Sequence, residues 1–264
     1  AIDYRGLNSL TVKDVFPLPL IDECLDMLSG TCLYSTLDLA AGYWQIEINP
    51  EDKHKTAFIT RYGLFQHVRM GFGLCNAPSS FQRCMQLILR GLNWHEVLAY
   101  IDDVIVVGKD FDDHLDNLSK VFSRFRQYNG KLKPKKCNLF QSEVKFLGRV
   151  VGQQGISVDP DKIKVVQQWR VPENVKDVES FLGFVNYHRA HIPQLAVKAE
   201  PLYLLTKKKV VFSWQADQQA AFDQLKQDLM SPPVLGFPNS NDLFILDTDA
   251  SDWALGAVLS QVQD

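Results

Sequence analysis

The stretch AYIDDVIVVG, residues 99–108, sets Asp102 and Asp103 side by side inside an apolar run. Its arms, Val97 to Ile101 and Val104 to Val107, are β-branched, aromatic or aliphatic, so both read as strand. Adjacent carboxylates repel each other, and neither arm supplies a basic partner. A hairpin tip is the simpler reading of the pair, since Asp tolerates turns. Two-residue hairpins favour Asn-Gly or Asp-Gly, however, because both central residues want positive φ. Acid at both places suggests that side-chain chemistry overrides turn preference.

A second acidic position shifts the balance. Asp38 ends the apolar run of LYSTLDLAAGYWQIEI and is followed by Ala40, Ala41 and Gly42, small residues that allow close approach of a backbone or a ligand. A strand-end residue is the bland alternative. If this strand lies beside the hairpin, three carboxylates converge at one sheet edge. Such a cluster is unfavourable unless protons or cations neutralise it. Hard oxygen ligands with open positions suit Mg²⁺, and two such ions about 3.5–4 Å apart would serve an in-line phosphoryl displacement.

Charge points to a polyanion as partner. The net charge of −3 conceals eight basic residues from Arg124 to Arg149 against Glu143 alone, and eight Asp against Lys226 from Val211 onward. The basic centre suits nucleic acid, although a solvated lysine-rich loop would look the same. The chain has no run of eighteen apolar residues and no leader at AIDYRGLNSL, which implies neither a spanning helix nor a targeting signal. It opens without Met inside structured sequence, as a fragment would. Five cysteines without a CxxC pair favour reduced thiols in an intracellular setting.

The element pattern is mixed α and β over the first 155 residues, helical from about 160 to 230, and strand-like again beyond. Asp159 and Pro160 open one helix, and Asn174 caps a second that carries Val175, Val178, Phe181, Leu182 and Val185 on one face. A third runs from Leu195 to Leu205, interrupted or opened by Pro201; a fourth has Ser213 as its cap and Pro232–Pro233 as its stop. Two strands, Leu243–Thr248 and Ala254–Ser260, follow.

Five segments, TLDLAAGYWQI, GFGLCNAPSSFQ, AYIDDVIVVG, NGKLKPKKCNLF and VKFLGRVVGQQGI, occur in the order of the palm motifs of reverse transcriptases. They resemble most those of gypsy-type LTR retrotransposons and their retroviral relatives. The resemblance implies an α+β right-hand polymerase. Fingers and palm with an antiparallel sheet would occupy 1–155, a helical thumb and linker 156–232, and the first hairpin of a ribonuclease H-like domain 233–264. It also implies RNA- and DNA-templated addition of deoxynucleotides to a primer 3′-hydroxyl, as part of a retrotransposon Pol polyprotein. A catalytically silent, nucleic-acid-binding remnant of a degenerate element is the alternative.

Residue by residue, the resemblance implies that Asp38 and Asp102 bind two Mg²⁺ ions, with Mn²⁺ as a substitute, and that Asp103 completes the triad. The Leu39 carbonyl would be an extra ligand. Tyr43 would exclude a ribose 2′-hydroxyl, unless it is only an aromatic packing its turn. Phe72 and Gly73 match the nucleotide pocket, where Gly lets the backbone approach a base pair; Gly71 stands where relatives commonly carry Pro. Lys135 and Lys136 lie in the segment that closes on the triphosphate, where one of them would assist leaving-group protonation; a general phosphate contact is at least as good a reading. Phe146, Leu147 and Gly148 match the hairpin that grips the primer end, or a core strand. Asp249 would be the first acid of a ribonuclease H site, insufficient alone for hydrolysis. AIDYRGLN matches a family strand, with Asp3 and Arg5 in place. His188 and His191, without acidic or cysteine neighbours in sequence, read as a solvated helix end rather than a metal site. Partners implied are an RNA template, a DNA primer or RNA–DNA hybrid, and deoxynucleoside triphosphates, with no membrane; the family's address is cytoplasmic particles.

Overall fold

In the computed structural model, which describes residues 2–233, 235–238, 242–250 and 255–262, with Asp249 and Leu255 as backbone alone, the chain divides into two units, Ala1–Leu147 and Gly148–Asp264. The first opens with helices α1 (Arg5–Leu10) and α2 (Ile21–Asp26). A strand is expected at AIDYRGLN, yet residues 5–10 are helical. Among the described residues no strand pairs with them, so their backbone groups bond locally, Asn8 N–H to the Tyr4 carbonyl at 2.8 Å and Thr11 N–H to Leu7 at 3.1 Å.

Strand β1 (Leu33–Asp38) follows, then a 3₁₀ turn over Gly42–Gln45 and the short hairpin of β2 (Phe58–Thr60) and β3 (Gly63–Phe65). Helix α3 (Ala77–Ile88) leads into the hairpin of β4 (Val97–Tyr100) and β5 (Asp103–Gly108). Helix α4 (Phe111–Gln127), capped by Asp110 on the Asp113 amide at 2.9 Å, precedes β6 (Asn138–Gln141) and β7 (Glu143–Phe146). Strands β4, β5, β1 and β6 form one antiparallel sheet in that order.

The unbroken apolar run in β5 now has its reason. Val104 to Val107 are all at most 1% exposed, so both sheet faces are covered. Val104 and Val106 share a core with Phe81 and Met85 of α3 and with Leu118, Val121 and Phe125 of α4. Each such side chain contributes about 1.5–3 kcal/mol, which holds rigid the strand that carries the acids. Gly108 lets α4 start directly against the strand end: a Cβ there would lie 2.6 Å from the His114 Cα.

The second unit begins with the hairpin of β8 (Arg149–Gly152) and β9 (Gly155–Val158). Four helices follow, α5 (Pro160–Gln167), α6 (Val175–Tyr187), α7 (Leu195–Leu205) and α8 (Ala216–Met230), around Phe181, Leu202, Phe222 and Leu225. The Asp159 and Asn174 caps form as expected, accepting from the Asp161 and Asp177 amides at 3.0 Å. Pro201 lies inside α7 without ending it. Helix α8 is capped by Gln215 rather than Ser213: Gln215 and Gln218 bond each other's backbone reciprocally, and Ser213 only accepts from the Gln215 side chain at 3.1 Å.

The histidines are a further correction. His188 and His191 are 1% and 0% exposed, not solvated. The missing signal was Arg149, itself 5% exposed, whose Nη1 lies 2.9 Å from His191 Nε2 and whose Nη2 donates to the Tyr187 carbonyl at 3.2 Å. Finally β10 (Phe244–Ala250) pairs with β11 (Leu255–Gln261), Phe244 opposite Gln261 through Ala250 opposite Leu255. The expected start of the second strand, Ala254, lies outside the described residues. Among the described residues no helix is long and apolar enough to cross a membrane.

Candidate active site

The acid hairpin turns one residue earlier than its sequence suggests. Tyr100 pairs with Asp103, so Ile101 and Asp102 are the two turn residues and Asp103 is the first of β5. Ile101 takes φ +52°, an outlier for a β-branched side chain. Gln82 of α3, fully buried, supports that strain. Its Nε2 donates to the Ala99 carbonyl at 2.9 Å, and its Oε1 accepts from the Ile101 amide at 2.7 Å. No reading of the sequence singled out Gln82. Its signal was an uncharged amide beside Phe81 on a helix face otherwise facing the core.

The register then assembles the acids. Asp38, last in β1, stands opposite Asp103, a cross-strand like-charge pair that is destabilising by itself. Asp102 lies over Gly42: a Cβ there would be 2.7 Å from the Asp102 Oδ1 and 3.1 Å from the Phe81 ring. Gly42, the last of the small residues after Asp38, thus makes room for Asp102. Desolvation, then the charge of Asp38, pushes the Asp102 carboxyl above the ordinary Asp range. Asp103 is raised likewise by desolvation, then by Asp102 and Asp38. The three therefore share one electrostatic field.

One cation already answers that field. Lys136 Nζ lies 3.2 Å from Asp38 Oδ2. A cleft of about 120 Å³ beside the pair is lined by Asp38, Asp103, Lys136, Lys145 and Phe146, among others. Among the described residues no three His, Cys, Asp or Glu side chains close around a single metal-sized point. The donor set suits a hard ion that takes few protein ligands and completes its shell from water or phosphate. Leu39 forms a bridge with Leu132 in which the Asp38 carbonyl and the Ala40 amide make the bonds. By strand alternation the Leu39 carbonyl faces the other way, toward β5.

The remaining expected residues divide into near and far. Tyr43 packs edge-on against Phe72 and Phe81, both at 5.4 Å. Desolvation, then the Asp102 charge, raises its hydroxyl above the usual tyrosine range. Phe72 is 62% exposed, and Gly73 has φ +93°. Their loop is pinned by Met70 N–H on the Ile46 carbonyl (2.9 Å) and by Asn8, which donates to the Gly73 carbonyl (2.8 Å) and accepts from the Cys75 amide (2.9 Å). Gly71 abuts the Trp44 indole: a Cβ added there would lie 3.1 Å from the ring. Lys135 is exposed. Asp3 and Arg5 form an exposed ion pair at 2.7 Å. Phe146 is 3% exposed, whereas Leu147 and Gly148 both take positive φ, +48° and +70°. Asp249 pairs with Gly256 through its backbone, and its side chain lies outside the described part of the chain.

Comparison with known proteins gives this arrangement its family. A family model described as reverse transcriptase (RNA-dependent DNA polymerase) matches residues 1–151. The chain belongs to the reverse transcriptase family. A second model, an RNase H-like domain found in reverse transcriptase, matches residues 214–264. The chain is 41% identical over 261 residues to the retrovirus-related Pol polyprotein from transposon 297 of Drosophila melanogaster, covering 98% of the chain and 25% of that polyprotein. It is 36% identical over 263 residues to the transposon Tf2-3 polyprotein of Schizosaccharomyces pombe, covering 100% and 20%. It therefore spans a quarter or less of these curated relatives.

Among solved structures, foamy viral protease-reverse transcriptase in complex with RNA/DNA hybrid superimposes with a TM-score of 0.84 at 23% identity, over 99% of this chain and 36% of that one. The same enzyme in complex with dsDNA gives 0.86 at 23%, over 99% and 55%. These likenesses establish the α+β polymerase fold that the reverse transcriptase motifs imply.

Proposed function

We propose that this chain carries the polymerase site of a retrotransposon Pol polyprotein and adds deoxynucleotides to a primer 3′-hydroxyl on RNA or DNA templates. The observation that supports it most is the convergence of Asp38, Asp102 and Asp103 at one sheet end, on a hairpin strained at Ile101 and held by Gln82. In the reaction the 3′-oxygen bonds to the α-phosphorus while the α–β phosphoanhydride breaks and pyrophosphate leaves.

Asp38 and Asp102, with the Leu39 carbonyl, are the groups to hold two Mg²⁺ or Mn²⁺ ions. Their raised negative field and hard oxygen donors fit such ions. When bound, these ions would neutralise the charge that develops on the attacking and leaving oxygens. Asp103 adds its charge to that field from the paired strand. Tyr43, wedged between Phe72 and Phe81, presents a fixed ring to the incoming sugar and rejects a 2′-hydroxyl by steric exclusion. Phe72 and Gly73 supply the surface under the nascent base pair. Lys136 reaches the triphosphate, and Phe146, Leu147 and Gly148 support the primer end. In this reading most of the catalytic effect is positioning and charge neutralisation.

Primer extension on an RNA template with Mg²⁺ tests the proposal. The chain should extend, and Asp102→Asn should lose about a hundredfold to a thousandfold in rate while duplex binding persists. Extension by Asp102→Asn at the parental rate would overturn the carboxylate assignment. Duplex binding without extension, by the parent and equally by a chain restored at both ends, would instead select the silent-remnant alternative.

A further inference from the structure

Lys136 is delivered to Asp38 by the backbone on both of its flanks. Upstream, Lys133 N–H donates to the Asp38 carbonyl at 2.8 Å, and Lys136 N–H donates to the Lys133 carbonyl at 2.9 Å, closing the 3₁₀ turn Pro134–Lys136. Downstream, Asn138 stands opposite Thr36 in the β1–β6 register, its Nδ2 donating to the Thr36 hydroxyl at 3.2 Å. Between these anchors the ammonium meets Asp38 Oδ2 at 3.2 Å. The segment before the lysine is thus bonded to the same residue whose carboxylate the lysine neutralises.

The pair is preplaced but weakly held. Its two side chains are 59% and 37% exposed, Lys136 and Asp38 respectively, and ion pairs so open to water are screened and contribute little. A lysine ammonium is also a compact point charge on a flexible stem, able to change partner without moving its backbone. Opposite Asp38 stands Asp103, so loss of the ammonium would leave two carboxylates facing each other across the strands.

We propose that Lys136 is a built-in counter-ion of the site: it neutralises Asp38 while no divalent ion is bound, and a divalent ion must displace it to bind. The displaced ammonium is then free for the anion that enters with the metal. This rests on the reading of Asp38 and Asp102 as divalent-cation ligands. It goes beyond that reading by making metal entry and lysine release one event. Lysine thereby lowers the affinity of the site for metal alone and favours metal arriving together with a phosphate.

The test is Mn²⁺ titration of the whole chain without nucleic acid or nucleotide, reading free Mn²⁺ by electron paramagnetic resonance. Lys136→Met and Lys136→Gln should each bind Mn²⁺ about threefold to fivefold more tightly than the parent, and Lys136→Arg should match the parent. Acylation of the Lys136 amine, followed by peptide mass spectrometry with Lys135 as internal reference, should accelerate when Mn²⁺ is added. Unchanged affinity in both neutral variants, with Asp102→Asn weakened, overturns the counter-ion while leaving the metal ligands in place. Mn²⁺ binding by Asp102→Asn equal to that of the parent, or none by the parent, overturns the metal-ligand reading itself.

Discussion

The two units each hold charge at a crowded place, three carboxylates in one and a buried guanidinium in the other, and they settle it in opposite ways. In Ala1–Leu147 the three acids stand together at one end of the sheet, Asp102 and Asp103 raised in pKa by desolvation and then by neighbouring carboxylate charge, with an exposed lysine paired to Asp38. In Gly148–Asp264 the charge is a buried guanidinium. Arg149 bonds the neutral ring of His191 and the Tyr187 carbonyl, and its Cζ lies 5.5 Å from the Tyr187 ring centroid. His191 Nδ1 lies 3.0 Å from the Pro233 carbonyl, so that nitrogen carries the proton and Nε2 accepts from Arg149. His188 alongside is pushed down to about 4, by burial first and then by the Arg149 charge. An unresolved charge open to solvent is a capacity to bind a cation. A charge enclosed by neutral acceptors only ties elements together.

The sharpest way to break this contrast is acid, because the clusters have opposite signs. Both histidines have folded pKa values below the ordinary 6.5, so the unfolded chain takes up their protons first. Their contribution is complete above about pH 6.5 and is lost as the pH falls below it, for His188 as the pH approaches about 4; His188 alone accounts for about 3 kcal/mol. Asp102 and Asp103, raised in the folded state, impose a penalty at neutral pH that is relieved as the pH falls through their folded pKa values toward 3.8. Hydrogen exchange at pH 7 and pH 5 should show protection lost selectively in 148–264. Equal loss in both units would remove the distinction.

Arg149→Ala comes next in size. It deletes two charge-assisted hydrogen bonds and leaves His191 Nε2 buried without its donor, which should cost about 2–3 kcal/mol. Urea unfolding followed by tryptophan fluorescence measures it, and an unshifted midpoint would mean the cluster is not what holds this unit. Gln82→Ala is smaller, about 1–3 kcal/mol, since it strands the Ala99 carbonyl and the Ile101 amide. In contrast to Arg149→Ala, it should lower kcat for extension with KM little changed, because it loosens the acid hairpin. Smallest is Asp102→Asn, which relieves repulsion and should raise stability by under about 1 kcal/mol in thermal unfolding. A loss of stability there would show that the acids are not in conflict.

Much of this was legible in the chain itself, for reasons of local chemistry. Asp159 and Asn174 cap helices because their side chains reach amides two or three residues on. The apolar arms of AYIDDVIVVG demanded strands, and five motifs in order pointed to the family without any tertiary contact. What was misread lay just beyond local reach. Ser213 and Gln215 are both able to cap, and the partner Gln218 decides between them. His188 and His191 look solvated until Arg149, far back in the chain, is brought against them.

The sequence by itself determined the strand and helix periodicities and carried the five ordered motifs whose resemblance points to the family and implies its three acids. The tertiary structure alone decided that the hairpin turns at Ile101–Asp102, because pairing with Tyr100 and the amide of Gln82 set that register. It alone placed Lys136 on Asp38, across 98 residues of chain. Periodicity extends only a few residues along a backbone, whereas the sheet brings distant charges within a single hydrogen-bond length of each other.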